Sequence, residues 1–285
     1  MEKEKRHYNQ VMRIGIIGAG NMATAILSGI AGIHKGVSIC CSDINQKQLS
    51  KIKTTKKVKT TKDNTVATKK SAIVFLCVKP NIIEKVAKEI KPFLKPNQIV
   101  VSVAAGVTIK SLEVFLGKDK KIIRTMPNLP CLIRKGVVAM MANKNCNPKD
   151  KKMAEKLTSS IGKLVHLRQE KDFDCITALS GSGPAFFAQY IRSNLEFAKS
   201  KKINSKEARL LVFETLSGTL EFLQHANIEI KDFISIVASP GGTTEAGLKT
   251  LRDNNYQKII KKSLEMASKK SFSISKGILS KRRDG

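Results

Sequence analysis

An α/β fold is predicted: an N-terminal Rossmann-type doubly wound parallel sheet, then an all-helical C-terminal domain. Three observations predict it. Apolar β-type runs alternate with helix-patterned segments up to about residue 167, a Gly-x-Gly-x-x-Ala loop follows the first run, and strand signals stop beyond about residue 170. Strands and helices in alternation build βαβ units whose sheet is covered on both faces. The expected domains are residues 1–168 and 169–285.

Taken in order, residues 13–17, 38–42, 73–78, 99–103 and 121–125 read as strands because they are short, apolar and rich in Val and Ile. Between them, residues 21–30, 46–53, 82–90 and 108–116 read as helices. Residues 137–141, a helix over 148–160, and residues 163–167 extend the same pattern. Cys77 falls inside the third of these runs, in a strand expected to be buried. Past the boundary, residues 184–201, 205–225 and 256–274 carry apolar residues at helical spacing. Asn204, with Glu207 three residues on, resembles a capping box at the start of the second of these. The basic tail at 281–285 is expected to be disordered.

The chain has 285 residues, 41% of them hydrophobic, enough for a sizeable core and two domains. Its apolar runs are too short to span a bilayer. Residues 1–10 are charged and polar with no apolar h-region, so no secretory signal is expected. The six cysteines show no metal or redox spacing and read as reduced thiols of a cytoplasmic protein. The four histidines are scattered and none has a motif partner, so no metal site is expected. The net charge of +29 is spread along the chain and supplied mostly by lysine. No arginine-rich helix, aromatic platform or zinc module accompanies it, which argues against a nucleic-acid partner. A positive field of this kind would steer anionic substrates and phosphorylated cofactors.

The loop after the first strand runs Gly18, Ala19, Gly20, Asn21, Met22, Ala23. Gly18 permits a tight turn, Gly20 lets backbone approach a pyrophosphate, and Ala23 allows close helix–strand packing. The end of the second strand should meet the adenosine ribose. There Asp43 would accept a ribose hydroxyl, which favours NAD, or serve only to cap the next helix. Ser42, Asn45 and Lys47 would instead surround a 2′-phosphate, with Lys47 as counter-charge. The residues alone leave that choice open.

Two further stretches place small hydroxyl residues and glycines before helix-compatible runs: Thr177 to Ala185, and Ser239 to Thr244. Backbone N–H groups freed at a helix N-terminus receive anions, and glycine keeps the approach open. Neither paired carboxylates nor a catalytic histidine accompanies them. This pattern suggests a small carboxylate held beside a cofactor that carries the hard chemistry.

With these motifs, and with those at Val78 to Pro80, Ser102 to Gly106 and Arg124 to Asn128, nearly the whole chain resembles the pyrroline-5-carboxylate reductase family. The resemblance implies reduction of 1-pyrroline-5-carboxylate to L-proline, usually with NADPH, NADH remaining possible. It also implies that residues 1–168 bind NAD(P), and that residues 169–285 dimerise and bind substrate in a homodimer or higher homo-oligomer. Gly241, Gly242, Thr243 and Thr244 would cradle the substrate carboxylate, the Thr244 hydroxyl would serve the imine nitrogen, and Ser182 with Gly183 would face the nicotinamide. Val78, Lys79, Pro80, Asn64, Ala104 and Ala105 would line the cofactor cleft. The chain departs from the family at Arg192, where an acid is usual, at Leu129, where threonine is common, and over the apolar stretch 233–237. A β-hydroxyacid or 6-phosphogluconate-type dehydrogenase would need a lysine in the first turn of the helix at Pro184, and there is none. A nucleotide-sensing or nucleic-acid-binding protein on the same scaffold rests only on Arg192 and the charge.

Overall fold

The computed structural model describes residues 11–31, 36–53 and 58–280. The expectations for residues 1–10 and 281–285 lie outside the described residues. The first apolar run forms β1 (Met12–Ile17), buried from Ile14 onward. It lies inside an eight-stranded sheet with β2 (Val37–Ser42), β3 (Val58–Thr61), β4 (Ile73–Leu76), β5 (Ile99–Ser102), β6 (Lys121–Pro127), β7 (Gly136–Ala142) and β8 (Gly162–His166). The strand order is β3-β2-β1-β4-β5-β6-β7-β8. The order therefore reverses between β1 and β4, and a doubly wound sheet opens its ligand crevice beyond the C-terminal ends of such strands.

Helices cover both faces, because the central strands are buried on both sides. One core joins α1 (Asn21–Ala31), α2 (Gln46–Lys53) and α6 (Pro148–Thr158) to the sheet through Ile26, Leu27, Leu49 and Leu157. The other joins α3 (Asn64–Lys69), α4 (Ile83–Ile90) and α5 (Ile109–Leu116) through Ala67, Ile83, Val86 and Leu112. At the start of α6, Asn147 and Asp150 form a reciprocal capping box.

Several expectations need correction. β7 runs antiparallel to β6, although the alternation suggested a parallel sheet throughout. Only residues 128–135 connect the two, too few for a crossover. β3 and α3 were not expected, since Val58–Thr61 and Asn64–Lys69 are rich in Lys and Thr and weakly apolar. β4 stops at Leu76, and Cys77 lies half-buried just past it, donating its N–H to Ile17 O at 2.7 Å. Asn204 does cap its helix, accepting from Lys206 N–H at 2.8 Å, but no box with Glu207 closes.

Contacts divide the chain into one unit of Met1–Gly181 with Ala267–Gly285, and another of Ser182–Met266. In the first, α7 (Asp172–Ile176) leads into a π-helical turn, Thr177–Ser182, whose last residue opens the second unit. The second holds α8 (Gly183–Ser200), α9 (Ser205–His225), α10 (Ile230–Val237) and α11 (Thr243–Asp253), and α12 (Tyr256–Ser280) begins in it. The apolar stretch 233–237 thus lies in α10, a helix absent from the sequence expectation. α8 packs on α9, yet Phe187, Phe197, Leu210, Leu211, Leu220 and Ile236 all stay more than half exposed. In the first unit, the returning end of α12 anchors through Ser271 Oγ, which donates to Asp174 Oδ1 at 2.6 Å.

Candidate active site

The glycine loop is built at the mouth of β1. Gly18 adopts φ +94°, and a Cβ there would sit 2.6 Å from Cys77 O, so the turn after β1 requires glycine. A Cβ at Gly20 would meet only open space, leaving the backbone free for close approach. The first rung of α1 is Thr24 N–H to Gly20 O at 3.0 Å. The N–H groups of Asn21, Met22 and Ala23 therefore precede the helical ladder, and α1 carries no acid in its first turn. Such a terminus suits a pyrophosphate.

At the end of β2 the structure gives Asp43 a task that the sequence did not show. One carboxylate oxygen accepts from Ala19 N–H and the other from Asn45 N–H, each at 2.7 Å. Asp43 thus braces the phosphate loop against β2, while Asn45 accepts from Lys47 N–H at 3.0 Å and caps α2. Lys47 stands exposed on the first turn of α2. Ser42 is fully buried, so its hydroxyl does not face solvent; it pairs with Asn64 Oδ1 at 2.8 Å. Asn64 Nδ2 in turn donates to Glu89 Oε2 at 2.9 Å. Both ends of the Asn64 amide are held at the N-terminus of α3.

Across the switch point, Val78 is half-buried, Lys79 is exposed and extended, and Pro80 opens a short 3₁₀ turn that leads to α4. After β5, Ala104 is buried and Ala105 partly exposed. Gly106 follows at φ +74°, and a Cβ there would lie 2.7 Å from the Ile274 side chain of α12. Close by is an arrangement that the sequence marked only as a motif. Arg124, 3% exposed on β6, pairs with Glu170 Oε1 at 2.9 Å and stacks 4.0 Å from the centre of the Phe173 ring. Burial draws the Arg124 pKa down, and Glu170 opposes the shift. The same Glu170 oxygen accepts from Ile109 N–H at 2.6 Å, at the start of α5.

Ser182, Gly183 and the loop at 239–244 lie in the second unit. Ser182 is half-buried and makes no side-chain cap bond at α8, which removes helix capping as its role. Gly183 is buried behind it. The π-helical turn ending at Ser182 is a local irregularity of the kind frequent at functional sites. Downstream, Pro240 and Gly241 (φ +71°) make a turn closed by Gly242 N–H to Ser239 O at 3.0 Å. Gly242 is the N-cap of α11, and a Cβ there would sit 2.9 Å from Ser239 O. Of the four N–H groups expected to cradle an anion, Gly242 N–H is thus spent on the turn. Gly241 N–H is spent on Glu245 Oε2, at 2.6 Å. Those of Thr243 and Thr244 open α11 and meet no acceptor among the described residues. Thr244 is half-buried beside them. Sequence reasoning missed Glu245, although its place three residues after the N-cap is where a capping box puts an acid.

The remaining candidates are structural. Arg192 forms an exposed i,i+4 pair with Glu196 at 3.3 Å, and Leu129 is about half exposed. Burial pushes the Cys41 thiol up to about 12 and Cys146 to about 11, so both stay neutral and unreactive. Among the described residues, no three His, Cys, Asp or Glu converge as metal ligands, and no helix is long and apolar enough to cross a membrane.

Residues 170–274 match the family described as pyrroline-5-carboxylate reductase dimerisation, and residues 13–106 the one described as NADP oxidoreductase, coenzyme F420-dependent. The pyrroline-5-carboxylate reductase of Pseudomonas aeruginosa is 32% identical over 92% of this chain and 96% of its own. The crystal structure of Plasmodium falciparum pyrroline carboxylate reductase with NADP bound aligns with TM-score 0.85 at 29% identity, over 93% of this chain and 98% of that one. The enzyme from Coxiella burnetii aligns with TM-score 0.84 at 31% identity, over 93% and 99%.

Proposed function

The chain belongs to the pyrroline-5-carboxylate reductase family, and from that premise we infer how its residues reduce 1-pyrroline-5-carboxylate to L-proline. It is an NADP(H)-dependent oxidoreductase acting on a C=N bond, in the last step of proline biosynthesis, and it works as a homo-oligomer. The observation that carries the reading is the pair of prepared anion sites: free N–H groups at α1 behind an open Gly20, and free N–H groups at Thr243 and Thr244. We further propose residues 169–285 as the dimerising and substrate-binding part, a reading supported by the family match over 170–274. The free state of all six cysteines supports a cytoplasmic setting.

When bound, NADPH supplies the hydride to the imine carbon. The chain's own residues bind, orient and manage the proton. Asn21 and Met22 N–H groups hold the pyrophosphate, and Gly20 lets it approach. Ser42, through Asn64, sets the ribose floor, while Lys47 offers the counter-charge for a 2′-phosphate. Asp43 braces the loop through Ala19 and Asn45, and the remaining lone pairs of its carboxylate are open to a ribose hydroxyl. Val78, Lys79, Pro80, Ala104 and Ala105 line the nicotinamide side of the cleft. The N–H groups of Thr243 and Thr244 hold the substrate carboxylate, and Ser182 and Gly183 form the facing wall. The Thr244 hydroxyl donates its hydrogen bond to the imine nitrogen. As hydride arrives, the nitrogen takes up one proton, and the balance is imine plus NADPH plus H⁺ giving proline and NADP⁺.

The direct test is NADPH and NADH consumption with 1-pyrroline-5-carboxylate, assayed in parallel. Thr244→Val keeps the shape and removes the hydroxyl. General acid assistance contributes about 10²–10⁴-fold, and a hydrogen bond to a charged group alone about 1.5–3 kcal/mol. We expect kcat to fall at least about tenfold while NADPH affinity holds. A raised KM at unchanged kcat would reduce Thr244 to a positioning group.

A further inference from the structure

We propose that Glu245 is a positioning residue for substrate binding, a clamp that holds the Ser239–Gly242 turn in its receptive shape. The inference rests on the reading that this loop binds the substrate carboxylate. Helix α11 starts without a side-chain cap, because its N-cap is glycine. Glycine is required there by the 2.9 Å approach of Ser239 O to the position of a Cβ. The usual reciprocal box, in which a hydroxyl at the N-cap and an acid at N3 exchange bonds, is therefore unavailable. Glu245 occupies the N3 position and reaches one residue further back, accepting from Gly241 N–H at 2.6 Å.

Two consequences follow for the loop. Gly241 sits at φ +71° between Pro240 and a second glycine, so its backbone has more freedom to lose than any other residue type. The carboxylate removes that freedom before substrate arrives, which lowers the ordering cost of binding. The clamp also consumes the Gly241 N–H, and the turn consumes that of Gly242. The substrate carboxylate is thereby directed to Thr243 and Thr244, next to the hydroxyl that serves the imine nitrogen. The bond to Gly241 N–H needs only an acceptor oxygen, so a neutral acceptor of the same length would do the work.

The test compares Glu245→Ala and Glu245→Gln with the unaltered enzyme, reading KM for 1-pyrroline-5-carboxylate, product inhibition by L-proline, kcat, and the Kd for NADPH. Loss of a comparable helix-start bond corresponds to roughly three- to thirtyfold in an equilibrium constant. Glu245→Ala should raise KM and weaken proline inhibition by that factor, with the NADPH Kd unmoved. Glu245→Gln, which keeps an acceptor oxygen, should restore most of the loss. Unchanged KM in the alanine variant would overturn the clamp. A lower KM in both variants would also overturn it, showing that Glu245 competes with the substrate for the loop. The unaltered enzyme's turnover separates the two levels: if it fails to reduce the imine, the functional reading falls, whereas an active enzyme indifferent to Glu245 sinks the clamp alone.

Discussion

A single carboxylate shows how far residue identity falls short of residue role. Asp43 stands where dinucleotide enzymes place the acid that selects NAD, and its sequence position also suits a helix cap. The cap of α2 falls to Asn45, and the oxygens of Asp43 brace Ala19 N–H and Asn45 N–H. Removing it should therefore damage the phosphate loop and not the choice of cofactor. We expect Asp43→Ala to weaken NADPH and NADH together, by about tenfold or less, because a hydrogen bond to a charged group is discounted at a partly exposed site. Fluorescence titration with both cofactors reads this directly. A selective loss of NADH, with NADPH binding intact, would return Asp43 to the ribose. Ser42 teaches the same lesson: its motif position was legible, but its burial against Asn64 was not.

At the scale of elements, strands and helices with strong periodicity were readable, and weakly patterned ones were not. Val37–Ser42 and Gln46–Lys53 announce themselves by apolar spacing, whereas Val58–Thr61 takes its strand state from pairing with β2. That is a tertiary effect that no local propensity encodes. The antiparallel β7 could have been inferred from its short connection to β6. Both loop motifs of the candidate site were legible because glycine and hydroxyl residues mark them locally. The Arg124–Glu170 pair was not, since its partners lie 46 residues apart. This pair joins β6, the start of α5 and the segment entering α7, so it is expected to hold the elements that carry the π-helical turn. Arg124→Met should destabilise the fold toward the lower end of the roughly 3–5 kcal/mol typical of a broken buried pair. The lower end is chosen because the Glu170 side chain remains 28% exposed. Chemical unfolding checks it, and a loss under about 0.5 kcal/mol, the usual range of a surface change, would remove the pair from the scaffold's essential contacts.

For the molecule as a whole, two features oppose each other. The helical unit exposes Phe187, Phe197, Leu210, Leu211, Leu220 and Ile236, an apolar surface that we propose association buries. Each copy also carries a net charge of +29, so two copies repel as they approach. The attraction is apolar and hardly depends on ionic strength, whereas the repulsion is screened over a Debye length of about 10 Å at 0.1 M salt and about 30 Å at 0.01 M. Association should therefore tighten as salt rises from about 0.01 to about 0.15 M. An assembly held by complementary surface charges, or one scaffolded by nucleic acid, has the opposite sign, because salt weakens those contacts. Sedimentation of a dilution series at the two salt concentrations distinguishes them. Dissociation on adding salt would show that charge, and not the apolar helices, holds the copies together. Replacing Leu211 by Glu adds a second control: if Leu211 lies in the buried surface, a charge there destabilises the assembly at both salt concentrations, because desolvating an unpaired carboxylate is costly at any ionic strength.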